Sequence, residues 1–194
     1  MNKKDKKENE YKKKLEKTLS NFDFIKYLGN DVLTKIYKYT DLEQMKNIYD
    51  LLPNEKDYAI IFTEFEPRKV GHWVCLTRYN DHGTNTFCYF DSYGKPPDYQ
   101  LKYVPKIFKS FLDEDKNEIS RLLKTIDSNY SNVIYNSFPL QSTKNNVNTC
   151  GRWVASFCKL TGVMLYNYQN YIDLILNIHK QTGKPYDIIV CEIT

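Results

Sequence analysis

The sequence predicts an α+β fold, a small sheet with helices packed against it, on three observations. Three short stretches between residues 58 and 93 are crowded with β-branched and aromatic residues and separated by turn residues, which is the mark of strands. Segments on both sides instead carry apolar residues at helical spacing. The length of 194 residues suits one domain able to bury roughly 70% of its unfolded surface without staples.

The elements follow in order. Residues 1–18 form a lysine-rich arm, expected to be flexible, ahead of a single domain over 19–194. The arm holds eight lysines against Asp5, Glu8, Glu10 and Glu16, so it carries the whole net charge of +4 and the remainder is neutral. The globular part therefore has no basic bias, and electrostatic contact with a partner falls to the arm. Residues 30–40 and 41–52 have helical spacing; Asp41 suits the N-cap of the second segment, and Pro53 with Asn54 stops it. Residues 58–66, 72–79 and 86–93 read as strands, the last two as a hairpin turning through Asn80, Asp81 and Gly83. Pro96 and Pro97 make 94–99 a loop.

Residues 101–126 read as helical over most of their length, with a break near 113–117, and 132–136 as a short strand. A polar loop over 137–149 leads to Cys150. Positions 153, 154, 157 and 158 then mark one helix face, closed by Gly162. Residues 169–181 suggest a helix buried on most sides, ended by Gly183 and Pro185. The β-branched run at 186–193 reads as a last strand.

The five cysteines are odd in number and scattered, with no C-x-x-C pair. That argues against a disulfide framework and for a reducing compartment. Cys75, Cys88, Cys158 and Cys191 have no paired spacing with a second histidine, so no zinc site is expected. No glycine-rich phosphate loop is present. The N-terminal lysines have no apolar run behind them and no stretch reaches the length of a membrane span. The expectation is a soluble intracellular protein.

The candidate chemistry is that of a thiolate, which needs a cysteine of lowered pKa, a base and a group to orient the base. Cys150 falls at a helix N-terminus, where unpaired N–H groups and the helix dipole favour the anion. Gly151 beside it leaves room and offers a backbone N–H to an oxyanion. His72 opens one strand of the hairpin and Asp91 ends the other, which brings them together. Gln141 offers a side-chain amide as a second oxyanion donor. Taken singly, a cysteine in a helix turn is more often a small buried apolar residue, and Asp91 could cap a turn. It is the ordered set that points to chemistry.

GHW at 71–73, FDSYG at 90–94, PLQ at 139–141 and TCGRW at 149–153 together resemble a cysteine-protease group. This is the adenovirus-maturation-protease group, which includes the SUMO-type proteases of ubiquitin-like modifiers, and the likeness is nearest to the maturation proteases of virophages and large DNA viruses. Their order of His-Trp, Asp, Gln and Cys-Gly differs from papain-like enzymes, where Cys precedes His. The resemblance covers about residues 58 to 162. It implies an adenain-like fold, a small mixed sheet with the nucleophile at the N-terminus of a central helix. It implies Cys150 as nucleophile, His72 as base, Asp91 as orienting acid and Gln141 as oxyanion donor, with Trp73 and Gly151 at the substrate channel.

The activity implied is cleavage of viral structural or core precursors at Gly-containing sites during virion maturation. The enzyme would act as a monomer in host cytoplasm and virion, with no cofactor beyond DNA activation through Lys3, Lys4, Lys6, Lys7, Lys12, Lys13 and Lys14. Gln141 stands nine residues before Cys150, farther than the pattern leads one to expect, so Asn145, Asn146 and Asn148 remain alternative donors. Two other readings stay open: removal of ubiquitin-like modifiers, and an inactive capsid- or nucleic-acid-binding protein.

Overall fold

A computed structural model describes residues 3–66, 70–104, 116–164 and 166–194. The β-rich stretches form the centre of a mixed five-stranded sheet, ordered β1 to β5. Strands β2 (Tyr58–Glu66), β3 (Val70–Asp81) and β4 (Thr84–Phe90) are antiparallel. Strands β1 (Ile36–Lys38) and β5 (Ser131–Tyr135) lie parallel on the two flanks. The α+β expectation holds.

The central strands read as nearly unbroken apolar runs because both of their faces are buried. Tyr58, Ile60, Trp73, Cys75, Cys88 and Phe90 point into one core with Trp153, Phe157 and Tyr171. Their alternate neighbours Ala59, Ile61, Val74, Leu76, Phe87 and Tyr89 point into a second core with Leu42, Ile48 and Leu122. The period-two alternation thus divides one apolar sequence between two layers. Among the described residues no helix is long and apolar enough to cross a membrane.

Several expectations are corrected. Within the arm, whose expected alternatives included partial helix, Lys3–Glu16 form helix α1, and its second half is bonded to the domain. Tyr11 donates to the Glu192 carboxylate, and Lys14 Nζ donates to the Cys191 carbonyl at 2.9 Å. Helix α2 (Asn21–Leu28) follows, with Phe24 buried. Residues 30–44 form two 3₁₀ turns around β1 rather than helices, because Ile36 and Tyr37 pair with Ile60 and Ile61. Asp41 therefore sits inside a turn, accepting the Lys38 N–H at 2.7 Å. The cap of α3 (Ile48–Leu51) is Asn47, which accepts from Tyr49 and Asp50.

Residues 105–115, expected to be largely helical, lie outside the described residues; α4 (Glu118–Leu123) follows them. Helix α5 (Cys150–Cys158) is buried along its whole length and runs into a π turn, Lys159–Val163, that contains Gly162. Helix α6 (Tyr168–Thr182) buries only Tyr171, Ile172 and Ile175, a narrower face than expected, and ends at Gly183 with φ 66°. Residues 186–193 are helix α7 (Tyr186–Ile193), not a strand. The Pro185 carbonyl accepts from Ile188 and Ile189 to start it, while Ile189 and Val190 enter the core against α5. Packing outweighs β-branched propensity there.

Candidate active site

The register of the hairpin builds the first half of the site. Cys75 pairs with Phe90, which places Asp91 just past the end of β4, beside the start of β3 where His72 lies. His72 Nε2 and Asp91 Oδ1 are 2.9 Å apart, and both side chains are buried. Asp91 is itself held on several sides. Its Oδ1 also accepts the Tyr93 N–H at 2.9 Å, its Oδ2 accepts from the Gln100 amide, and its carbonyl accepts from Asn136 Nδ2 at 2.6 Å. Tyr93 stacks on the His72 ring with centroids 5.0 Å apart. The chain can turn away after Tyr93 because Gly94 takes φ 67°, with the Ser137 backbone too close for a Cβ. The imidazole is thus fixed in both plane and position.

The second half is the N-terminus of α5. Cys150 is its first residue, only 5% exposed. The His72 ring and the backbone N–H groups of Trp73 and Gly151 stand close enough to its sulfur to act on the thiol. Asp91 occupies Nε2, so Nδ1 is the ring nitrogen left for the thiol. Burial pushes the Cys150 thiol up, but the His72 hydrogen bond and charge and the two N–H groups outweigh it and leave it lowered. Burial likewise pushes His72 down; the bond to Asp91, then that to Cys150, overcome it and bring the ring to about 10. The two shifts run toward a thiolate beside an imidazolium. Burial holds the thiols of Cys75, Cys88 and Cys191 raised, the opposite of Cys150.

The loop leading to Cys150 is tied down from α7 and α1. Asp187 accepts from the Ser142 N–H at 2.9 Å, Thr149 Oγ1 at 2.5 Å and Trp153 Nε1 at 3.3 Å. The Leu15 carbonyl accepts the Asn148 N–H at 2.7 Å, and the Glu16 carbonyl accepts Asn148 Nδ2 at 2.9 Å. A Cβ on Gly151 would lie 2.9 Å from Leu19 Cβ and 3.2 Å from Trp73 Cδ1, so only glycine lets α5 seat this closely.

The remaining sequence candidates fall as follows. Gln141 is buried in the same loop, accepting from Ser92 Oγ at 2.8 Å and donating to Tyr93 Oη and the Val147 carbonyl, both at 3.1 Å. Its amide is engaged with the loop and with the ring that stacks on His72. Asn145, Asn146 and Asn148 are exposed. Trp73 is a core residue. Its indole N–H donates to the Leu19 carbonyl at 3.0 Å, and Phe24 and Phe62 pack on it at 5.0 and 4.5 Å. Lys6, Lys12 and Lys13 are exposed, and Lys14 is spent on Cys191. The side chains of Lys3, Lys4 and Lys7 lie outside those described. Sequence reasoning missed Tyr93, Gln100, Asn136 and Asp187. The hairpin register could have found Tyr93, which falls opposite His72; the others carry no local signal.

A cysteine with a depressed thiol at a helix N-terminus, beside a histidine hydrogen-bonded to a buried aspartate, supplies the parts of a thiol-nucleophile site. No family model matches the chain. It is 32% identical over 165 residues to the uncharacterized protein V9 of Sputnik virophage, a match spanning 84% of this chain and 88% of that one. The chain belongs to the V9 family. Among solved structures it is similar to the ASFV pS273R protease, at 14% identity and a TM-score of 0.46, over 81% of this chain and 61% of that one. A de-sumoylating protease is similar at 13% identity and a TM-score of 0.34, over 79% and 66%. The chain thus spans less than two thirds of either solved chain's length. What it can do follows from its own side chains.

Proposed function

We propose that this chain is a cysteine endopeptidase that cleaves viral structural or core precursors at small, Gly-containing sites during virion maturation. The observation that carries the reaction class is the buried series Cys150, His72 and Asp91, with the thiol lowered and the imidazole raised. The substrate class draws on the resemblance of the His-Trp, Asp and Cys-Gly segments and on kinship with a virophage protein.

In the reaction the Cys150 thiolate attacks the scissile carbonyl carbon, forming an S–C bond and an oxyanion. Backbone N–H groups around the sulfur, those of Gly151 and Trp73, and the Gln141 amide if it leaves the loop, would stabilise that charge. Collapse breaks the C–N bond as His72 gives its proton to the leaving amine. His72 then takes a proton from water, which attacks the thioester and releases Cys150. Asp91 holds the ring and its charge throughout.

The test is to incubate the full chain with capsid and core proteins of the virus that encodes it, reading cleavage by mass spectrometry. Cys150→Ala and His72→Ala are expected to fold, by circular dichroism, and to lose cleavage by at least about 10³-fold. Cleavage persisting in folded Cys150→Ala would refute the reading. Faster turnover of ubiquitin-like modifier tails than of capsid precursors would move the substrate class and keep the chemistry.

A further inference from the structure

Beside His72 lies a cavity of about 280 Å³ that the reaction described above does not use. That is just under the roughly 300–1,000 Å³ of pockets for drug-sized ligands, so its size suits a single side chain. Most of its wall is rings, His72 with Tyr93 stacked on it, then Phe65, Tyr99 and Tyr103, and Gln100 and Thr143 add polar edges. Phe65 and Tyr99 each approach Tyr103, with centroids 6.0 and 6.1 Å apart. The rim is cationic. Lys95, which lines the cavity, and Lys102 lie over the Tyr99 ring at 5.4 and 3.6 Å. None of the described lining residues is acidic.

The position relative to the chemistry decides which substrate residue would enter. His72 must hand its proton to the leaving nitrogen, so that nitrogen stands against the ring. The first side chain of the leaving segment starts one bond farther on, beside the cavity that His72 walls. The space beside Gly151 is filled by Leu19 and Trp73, with Phe24 packed on the Trp73 ring.

We propose that this cavity is a specificity pocket for the residue that follows the scissile bond, and that it selects an aromatic or large aliphatic side chain and rejects lysine and arginine. The inference rests on the endopeptidase reading and adds to it a residue preference on the leaving side. Aromatic walls favour such a side chain through apolar burial and ring contact, and the lysine rim repels a cationic one.

The experiment digests a peptide library of tryptic and Glu-specific fragments with the full chain and sequences the new N-termini by mass spectrometry. New N-termini are expected to be enriched about tenfold in Phe, Tyr, Leu, Ile and Met over Lys and Arg. One cleaved peptide is then remade with Phe, Ala or Lys after the scissile bond and followed in a single turnover. Acylation of Cys150 should be about tenfold faster for Phe than for Ala. Deacylation should be identical for all three, since the leaving residue has gone by then. Tyr103→Ala, at a residue 56% exposed, and Phe65→Ala should each flatten the preference. Acylation with equal rates for Phe, Ala and Lys, or a preference intact in both variants, overturns the pocket alone. Absence of any Cys150 acyl-enzyme across the library overturns the endopeptidase reading and the pocket with it.

Discussion

The two halves of the site are built in opposite ways. His72 and Asp91 sit at one end of a hairpin whose register is set by alternating apolar residues, and local hydrogen bonds from Tyr93 and Gln100 complete their setting. Cys150 sits after a polar loop whose own sequence fixes little. That loop is held by Asp187 from α7 and by the carbonyls of Leu15 and Glu16 from α1. His72 and Asp91 are positioned mainly within the hairpin and the turn after it, and Cys150 by α1 and α7. Damage should follow the same division: near Asp91 it should strike the chemistry, and at Asp187 the stability and placement of the loop.

Removing Asp91 should give the larger effect. Asp91→Ala is expected to lower peptide hydrolysis on the order of 10²–10⁴-fold, because the ring loses both its orientation and its stabilised charge. It should also move the alkaline limb of the hydrolysis profile. His72 is raised to about 10, and the Asp91 bond is the largest of the influences that raise it. Hydrolysis must fall as pH rises through that value, since a neutral imidazole has no proton for the leaving amine. Without Asp91 the fall begins at lower pH. A limb that stays in place would mean that Asp91 does not set the ring's charge.

The smaller effect belongs to the other half. Asp187→Ala leaves the Ser142 N–H and the Thr149 hydroxyl without their acceptor, which should cost about 1–3 kcal/mol in urea denaturation. His72 still meets Asp91 in that variant, so the alkaline limb should not move. If Asp187→Ala shifts the limb as Asp91→Ala does, the two halves are one network and the contrast fails.

This division also explains what could be read in advance. The strands, the hairpin and the approach of His72 to Asp91 were legible because a period of two and a turn act within a few residues. Cys150 at a helix start was legible from the apolar stripe at 153, 154, 157 and 158. The helix at 186–193 was not, because its β-branched residues take their conformation from packing against α5. The docking of α1 was not either, since its backbone carbonyls accept from Asn148 in the loop and Arg152 in α5, and carbonyls have no residue signature. For Gln141 the residue type drew attention, while its partners Ser92, Tyr93 and Val147 emerge only from the folded loop.

The central claim is that folding lowers the Cys150 thiol by setting it beside His72. The most direct measurement is the rate of iodoacetamide modification at each cysteine against pH, located by mass spectrometry, for the native chain and for His72→Ala. Cys150 should be the thiol that reacts, with an acid limb below the ordinary thiol value of 9.0, and the rate should not fall again near pH 10 because alkylation needs no proton from His72. In His72→Ala the limb should rise, since the largest influence lowering the thiol is gone. A Cys150 that titrates like an ordinary thiol, or whose limb is unmoved by loss of His72, would contradict the account.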